Sequence, residues 1–141
     1  MVLVNKVVNK FGEDLSDLTF AVWGLAFKPG TDDVREATSL VVISELINRG
    51  AKIKAYDSQA TEEFIRTIDD EYLDSIEFEG KRYDAIDGAD ALILITEWKE
   101  FRNPDFDLLS EKLNQSVIFD GRNIYDKKIQ NRGFELYKIG C

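Results

Sequence analysis

Two cations in an acidic chain stand where an α/β protein keeps its ligands: Lys28, after the apolar run 20–23, and Arg122, after the run 117–119. Loops that leave the carboxyl ends of strands in an open sheet carry the binding residues. A lysine brings a compact point charge and an arginine a planar fork, so the pair suits an anion such as a diphosphate, with the fork also fitting paired carbonyl oxygens. Phe27, directly before Lys28, adds a flat packing surface. The purely structural accounts are a solvated Lys28 and an ion pair of Arg122 with Asp120 or Asp126.

Neither common phosphate pattern fits the first loop. A dinucleotide fingerprint needs glycines spaced G-x-G-x-x-G, whereas Gly24 and Gly30 have five residues between them. A P-loop needs lysine directly after its second glycine, and Lys28 precedes Gly30. What is left is a cationic loop stiffened at Pro29 and allowed a tight path by Gly30. Thr31, Asp32 and Asp33 are expected to satisfy loop amides, and Arg35 by spacing pairs with Asp32, Asp33 or Glu36.

Asp57 closes the next strand, the position of a ribose-binding acid in dinucleotide folds, but without the glycine fingerprint it reads as a turn residue. Trp98, beside Glu97 after the run 91–95, is expected to pack, while Asp120 and Asn123 read as loop braces. The single cysteine, Cys141, has no histidine anywhere in the chain to activate it and no second thiol for a disulfide or metal pair.

These residues need strands and helices to place them. Val4, Val7, Val8 and Phe11 recur at helical spacing, which predicts an amphipathic helix over 2–11. A strand at 20–23 leads to a helix from about 37 that stops at Gly50, then a strand at 51–56 with Ile53 and Tyr56 set for the core. A helix over 61–68 turns Phe64, Ile65 and Ile68 inward; 69–80 is acidic with a short strand at 76–78, and 83–89 is helical. The run 91–95 does not alternate, as expected of an interior strand covered on both faces. A loop over 96–103, a helix carrying Phe106, Leu109 and Leu113, a strand at 117–119, a short helix at 126–132 and a strand at 135–139 complete the chain. That alternation predicts a single-domain, Rossmann-like α/β fold: a doubly wound, mainly parallel sheet with helices on both faces.

The 141 residues suit one domain with a substantial core, and a formal charge of −9 argues against non-specific binding to nucleic acid or anionic lipid. No apolar run reaches the roughly 18 residues of a membrane span. Reduced-thiol usage fits a cytoplasmic setting.

The loop sequence Gly24-Leu-Ala-Phe-Lys-Pro-Gly-Thr-Asp-Asp-Val-Arg-Glu resembles the signature opening the C-terminal, nucleotide-sugar-binding domain of the UDP-glucose 6-dehydrogenase family. Ala55-Tyr56-Asp57, Thr96-Glu97-Trp98 and Phe119-Asp120-Gly121-Arg122-Asn123 follow in the family's order, and the resemblance runs from Thr19 onward. The chain departs at Ala37-Thr38, where the family often has Ser-Pro, which changes the cap of the following helix. The resemblance implies that Phe27, Lys28 and Arg122 contact a UDP-sugar and that Arg35 reaches toward NAD held mainly by an N-terminal domain. It implies that residues 1–14 end a helix of a preceding central domain and that 15–141 form the UDP-binding domain of a homodimeric, cytoplasmic oxidoreductase of polysaccharide biosynthesis. The whole enzyme would oxidise UDP-glucose to UDP-glucuronate through a cysteine thiohemiacetal whose motif is absent here, so the fragment is expected to be inactive. A dehydrogenase of UDP-N-acetylmannosamine or GDP-mannose is the nearest alternative; a receiver-like or scaffold α/β domain is the more distant one.

Overall fold

The computed structural model describes residues 2–28, 30–34 and 37–139. The elements run α1 (Val2–Phe11), β1 (Thr19–Trp23), α2 (Thr38–Asn48), β2 (Lys52–Tyr56), α3 (Thr61–Thr67), β3 (Ile76–Phe78), α4 (Arg82–Ile86), β4 (Ala91–Leu94), α5 (Phe106–Lys112), β5 (Val117–Asp120) and β6 (Glu135–Lys138). Single 3-10 segments occupy Asp70–Ser75, Lys99–Phe101 and Lys127–Arg132. Six strands form one sheet in the order β3-β2-β1-β4-β5-β6, and every pairing is parallel. The strand order reverses between β1 and β4, which is where a doubly wound sheet opens a crevice at its carboxyl edge.

Burial explains why these strands are central. Every residue of β4 and β5 is buried, as are Phe20 to Trp23 of β1, so both faces carry helices and the strands do not alternate. Alternation still sorts side chains between the faces. Phe20 and Phe119 meet Phe11 of α1, at ring separations of 5.5 and 6.2 Å. On the opposite face Trp23 stacks on Phe101 at 4.8 Å and meets Tyr83 edge-on at 6.1 Å; each such pair adds about 1 kcal/mol beyond the area it buries. α1 brings Leu3, Val4 and Val7 into the core, and its last turn is tied to β6 by Lys10 and Glu135, 2.9 Å apart.

The predicted elements are present, with shifted ends and four differences in detail. Tyr56 lies on the same side of β2 as Lys52 and Lys54, because residues an even number apart share a face; Ile53 and Ala55 fill the core. From the other face the Tyr56 ring still packs on the core, edge-on to Phe101 at 5.9 Å, and its hydroxyl donates to Glu100 at 3.2 Å. Phe64 of α3 and Ile68 just after it are buried but Ile65 is exposed, since each residue of a helix turns about 100° and carries 65 more than a quarter-turn from 64. The stretch expected to be helical over 83–89 is the short α4, and the loop over 96–103 contains a 3-10 turn. Ala37 caps α2 with no side-chain bond, as its methyl must, while Gly50 takes the left-handed φ of +101° expected after the helix.

Tyr125 joins two layers of this fold. Its hydroxyl donates to the carbonyl of Phe101 at 2.6 Å and its amide to Asp120 at 2.7 Å. Burial, then the nearby Asp120 carboxylate, pushes the phenol well above its ordinary value of 10.0. A raised folded-state value contributes stability that is complete below the unfolded value of about 10 and is lost as pH rises above it. Urea unfolding between about pH 8 and pH 11 should therefore show stability falling above pH 10. Tyr125→Phe should cost about 1 kcal/mol at neutral pH and fall less steeply in alkali, and an equal alkaline slope in both proteins would remove Tyr125 as the cause.

Candidate functional site

Because β1, β4 and β5 are parallel neighbours, the loops that follow them leave the same edge of the sheet. They are joined there by direct bonds. The amide of Ile95 donates to Trp23 O at 2.9 Å, Thr96 Oγ1 to Ala26 O at 2.7 Å, and the amide of Gly121 to Leu94 O at 2.9 Å. Two glycines allow this approach. A Cβ on Gly24, whose φ is +102°, would lie 2.4 Å from Thr96 Cβ, and one on Gly121 would lie 2.6 Å from Leu94 O. Ser39, buried in the first turn of α2, donates to Leu25 O at 2.7 Å, and the amide of Phe27 donates to Asp33 O at 2.7 Å. The Asp33 amide in turn donates to Thr31 Oγ1 at 3.1 Å, the loop-bracing role expected of that threonine.

Asp57 holds this arrangement from the tip of β2. One carboxylate oxygen accepts the amides of Leu25 at 2.8 Å and Ala26 at 3.1 Å together with the Trp98 indole N–H at 2.9 Å. The other accepts the amides of Gln59 and Ala60, both at 2.8 Å. Five donors on a carboxylate only 6% exposed satisfy its lone pairs and offset the cost of burying its charge. Asp57 is thus the turn residue the sequence suggests, and more: it fixes the loop that presents Phe27 and the loop that presents Glu97. Trp98 packs as expected and braces as well.

The candidate ligand residues sit at the rim of this frame. Phe27 and Lys28 are exposed, Phe27 by 49%, an unusual position for an aromatic ring beside a buried loop. Arg122 reaches Phe27, its Nη2 lying 3.4 Å from the Phe27 carbonyl. Its carboxylate neighbour is Glu97, at 4.0 Å. Asp120 instead accepts the backbone amides of Arg122 at 3.0 Å and Tyr125 at 2.7 Å, so it braces the loop as predicted. Asn123 supplies the left-handed backbone of the same loop, φ 58°. The Arg122 Nε is buried with no acceptor among the described residues. A cleft of about 340 Å³ opens beside it, lined by Leu3, Thr38, Ile95, Gly121, Arg122 and Ile139. Arg35, Glu36, Pro29 and Cys141 lie outside the described residues. A second depression, about 270 Å³, lies at the opposite edge among Lys52, Lys54, Asp74, Glu77 and Asp87. Its charges are of mixed sign and Lys54 Nζ already donates to Asp87 O at 2.8 Å, so it offers an anion little.

Two residues occupy the places that a dinucleotide takes in sheets of this topology. At the strand-order reversal, Thr96 fills the space above Gly24, and the acid at the end of β2 spends its oxygens on Leu25, Ala26 and Trp98. A pyrophosphate would need the first place and a ribose the second. What the edge presents outward among the described residues includes two cations, Lys28 and Arg122, and the Phe27 ring, with Glu97 beside Arg122. Among the described residues no group of histidine, cysteine and carboxylate side chains could hold a metal ion, and no helix is long and apolar enough to cross a membrane.

The functional neighbours that sequence reasoning missed are Ser39 and Arg102; Thr96 stands in one of the family-like segments, though the segment says nothing of the bracing bond it makes here. Ser39 carries a faint signal, a small hydroxyl residue at a helix start. Arg102 has none, because its proximity to Glu97, 3.8 Å, depends on how the 3-10 turn folds back.

The sequence model of the UDP-glucose/GDP-mannose dehydrogenase family, UDP binding domain, matches residues 21–127. The UDP-glucose 6-dehydrogenase of Pseudomonas aeruginosa is 40% identical over 124 residues, 86% of this chain and 27% of that protein. Its counterpart from Rhizobium meliloti is 37% identical over 136 residues, 96% of this chain and 30% of that protein. Among solved structures, a UDP-glucose dehydrogenase from the archaeon Pyrobaculum islandicum matches with a TM-score of 0.75 at 29% identity, over 96% of this chain and 28% of that one. The chain therefore spans less than a third of the length of these relatives.

Replacing Asp57 should loosen the frame in proportion to the acceptors removed. In Asp57→Asn the amide oxygen serves one set of donors while its NH2 group faces the other, a loss of about 1–3 kcal/mol in urea unfolding. Asp57→Ala strands all five donors and should cost about 3 kcal/mol or more. Near-native stability of the alanine variant would show that water replaces the carboxylate and that the frame does not depend on it.

Proposed function

This chain belongs to the UDP-glucose/GDP-mannose dehydrogenase family, as its UDP binding domain, and from that membership we propose that it holds a UDP-sugar through Phe27, Lys28 and Arg122. The observation that carries the reading is the meeting of Arg122 with the Phe27 carbonyl, 3.4 Å apart, although 95 residues separate them in sequence. Support comes from chemistry as well. Among the described residues the guanidinium's buried Nε has no acceptor and its carboxylate neighbour is the distant Glu97, so it has donors to give to diphosphate or uracil oxygens. The exposed ring of Phe27 offers a surface for a base or sugar, and Lys28 a charge.

The proposed division of labour is positional. The whole enzyme would oxidise UDP-glucose to UDP-glucuronate with NAD, and holding the UDP end here places the sugar's C6 at a thiol in another part of the enzyme. This chain's own residues bind and orient. NAD would supply hydride acceptance when bound by a separate N-terminal domain, since the crevice of this sheet is filled by its own side chains; Arg35 is proposed to reach toward it. Residues 1–14 are proposed to end a helix shared with a central domain and 15–141 to form the UDP-binding domain of a cytoplasmic homodimer in polysaccharide biosynthesis.

Calorimetry of the chain with UDP, UDP-glucose, UDP-N-acetylmannosamine and GDP-mannose tests the reading. UDP and its sugars should bind, and Arg122→Ala should weaken them by about 1.5–3 kcal/mol, roughly 10- to 150-fold. Affinity unchanged by that substitution would exclude Arg122 from the site. With UDP-glucose and NAD together the chain should bind without producing NADH, and turnover lost in Cys141→Ser would overturn the positional account.

A further inference from the structure

Glu97, leaving the end of β4, holds its carboxylate between guanidiniums from two different loops. One oxygen is 4.0 Å from Arg122 Nη2 and the other 3.8 Å from Arg102 Nη2. Both separations exceed the roughly 2.7–2.9 Å of a charge-assisted hydrogen bond, so neither fork is locked onto the acid. The other contacts of Arg122 are equally slack, a long bond of 3.4 Å to Phe27 O and a buried Nε without an acceptor among the described residues. Among these described side chains two positive forks share one negative charge, and one of them, Arg122, also lines the cleft.

We infer that Glu97 is an internal counter-ion occupying the place of the ligand's diphosphate, and that Arg102 is a second cation of that site. The inference rests on the UDP reading and extends it to two residues. Burial permits the exchange: the side chains of Arg102, Arg122 and Glu97 are 50%, 34% and 35% exposed, so Glu97 can turn to water without stranding its charge. An ion pair at this separation and exposure contributes little, whereas a diphosphate carries more charge and enough oxygens to give each fork short, paired bonds. Glu97 then lowers affinity for every anion. A ligand with two phosphates overcomes it, and one without phosphate gains nothing from Arg102.

Calorimetric titration of the chain with UDP and with uridine, at low and moderate salt, separates the possibilities. Glu97→Gln should bind UDP about three- to tenfold more tightly at low salt, with the gain shrinking as salt screens it. Arg102→Ala should lose about five- to tenfold for UDP and nothing for uridine, and Arg102→Lys should recover part of that loss because it restores the charge without the fork. Unchanged unfolding midpoints would show that these exposed substitutions leave the fold intact. Weaker UDP binding by Glu97→Gln would make Glu97 an orienting group for Arg122 and overturn the counter-ion. Unchanged UDP binding by Arg102→Ala, with Arg122→Ala impaired, would overturn Arg102 and leave the UDP reading standing. A wild-type chain that binds no UDP would overturn both.

Discussion

A single carboxylate, that of Asp57, receives two loop amides, two amides of its own turn and an indole N–H within the carboxyl edge of the sheet. Four of those donors, all but the Gln59 amide, would otherwise be buried N–H groups without an acceptor, and each has a fixed direction. The consequence reaches beyond stability. Leu25 and Ala26 lie immediately before Phe27, and Trp98 immediately after Glu97, so the residues on the rim inherit their positions from one acid three strands away from Arg122. The parallel register then carries the third loop into line, because Gly121 bonds to the end of β4.

This use of Asp57 also sets the edge apart from a dinucleotide site of the same topology. The strand order and the reversal between β1 and β4 are kept, yet Thr96 stands over Gly24 and the acid is turned inward. Closing the crevice moves the free chemistry outward, to loops whose cations are only partly covered. Fold and site are separable here: topology decides which loops meet, and a few side chains decide whether their meeting point is a cavity or a seal.

The strands were legible because period and burial agree: unbroken apolar runs at β1, β4 and β5 have both faces covered, and the residues closing those runs, Gly24, Thr96 and Gly121, mark the loops. The resemblance of four segments in family order located Phe27, Lys28 and Arg122. Other features depend on side chains that find partners far along the chain. The spacing of Arg122 suggested Asp120 or Asp126, but Asp120 is committed to backbone amides, and the fork turns to Glu97. Tyr56 does pack on the core, edge-on to buried Phe101, but parity with Lys52 and Lys54 puts it on the face opposite Ile53, where its hydroxyl meets Glu100. Ile65 is an apolar residue that the helical step carries off the face Phe64 buries.

The central claim is that the ligand edge lies along the loops after β1, β4 and β5, with the crevice itself closed. The most direct measurement is a map of backbone amide chemical shifts in the labelled chain as UDP is added. The account predicts the largest changes at Phe27, Lys28, Glu97, Arg122 and Asn123, with Gln59 and Ala60 at the tip of β2 little affected. Changes centred on Gln59 and Ala60, or on Lys52 and Gly88 at the opposite edge, would contradict it.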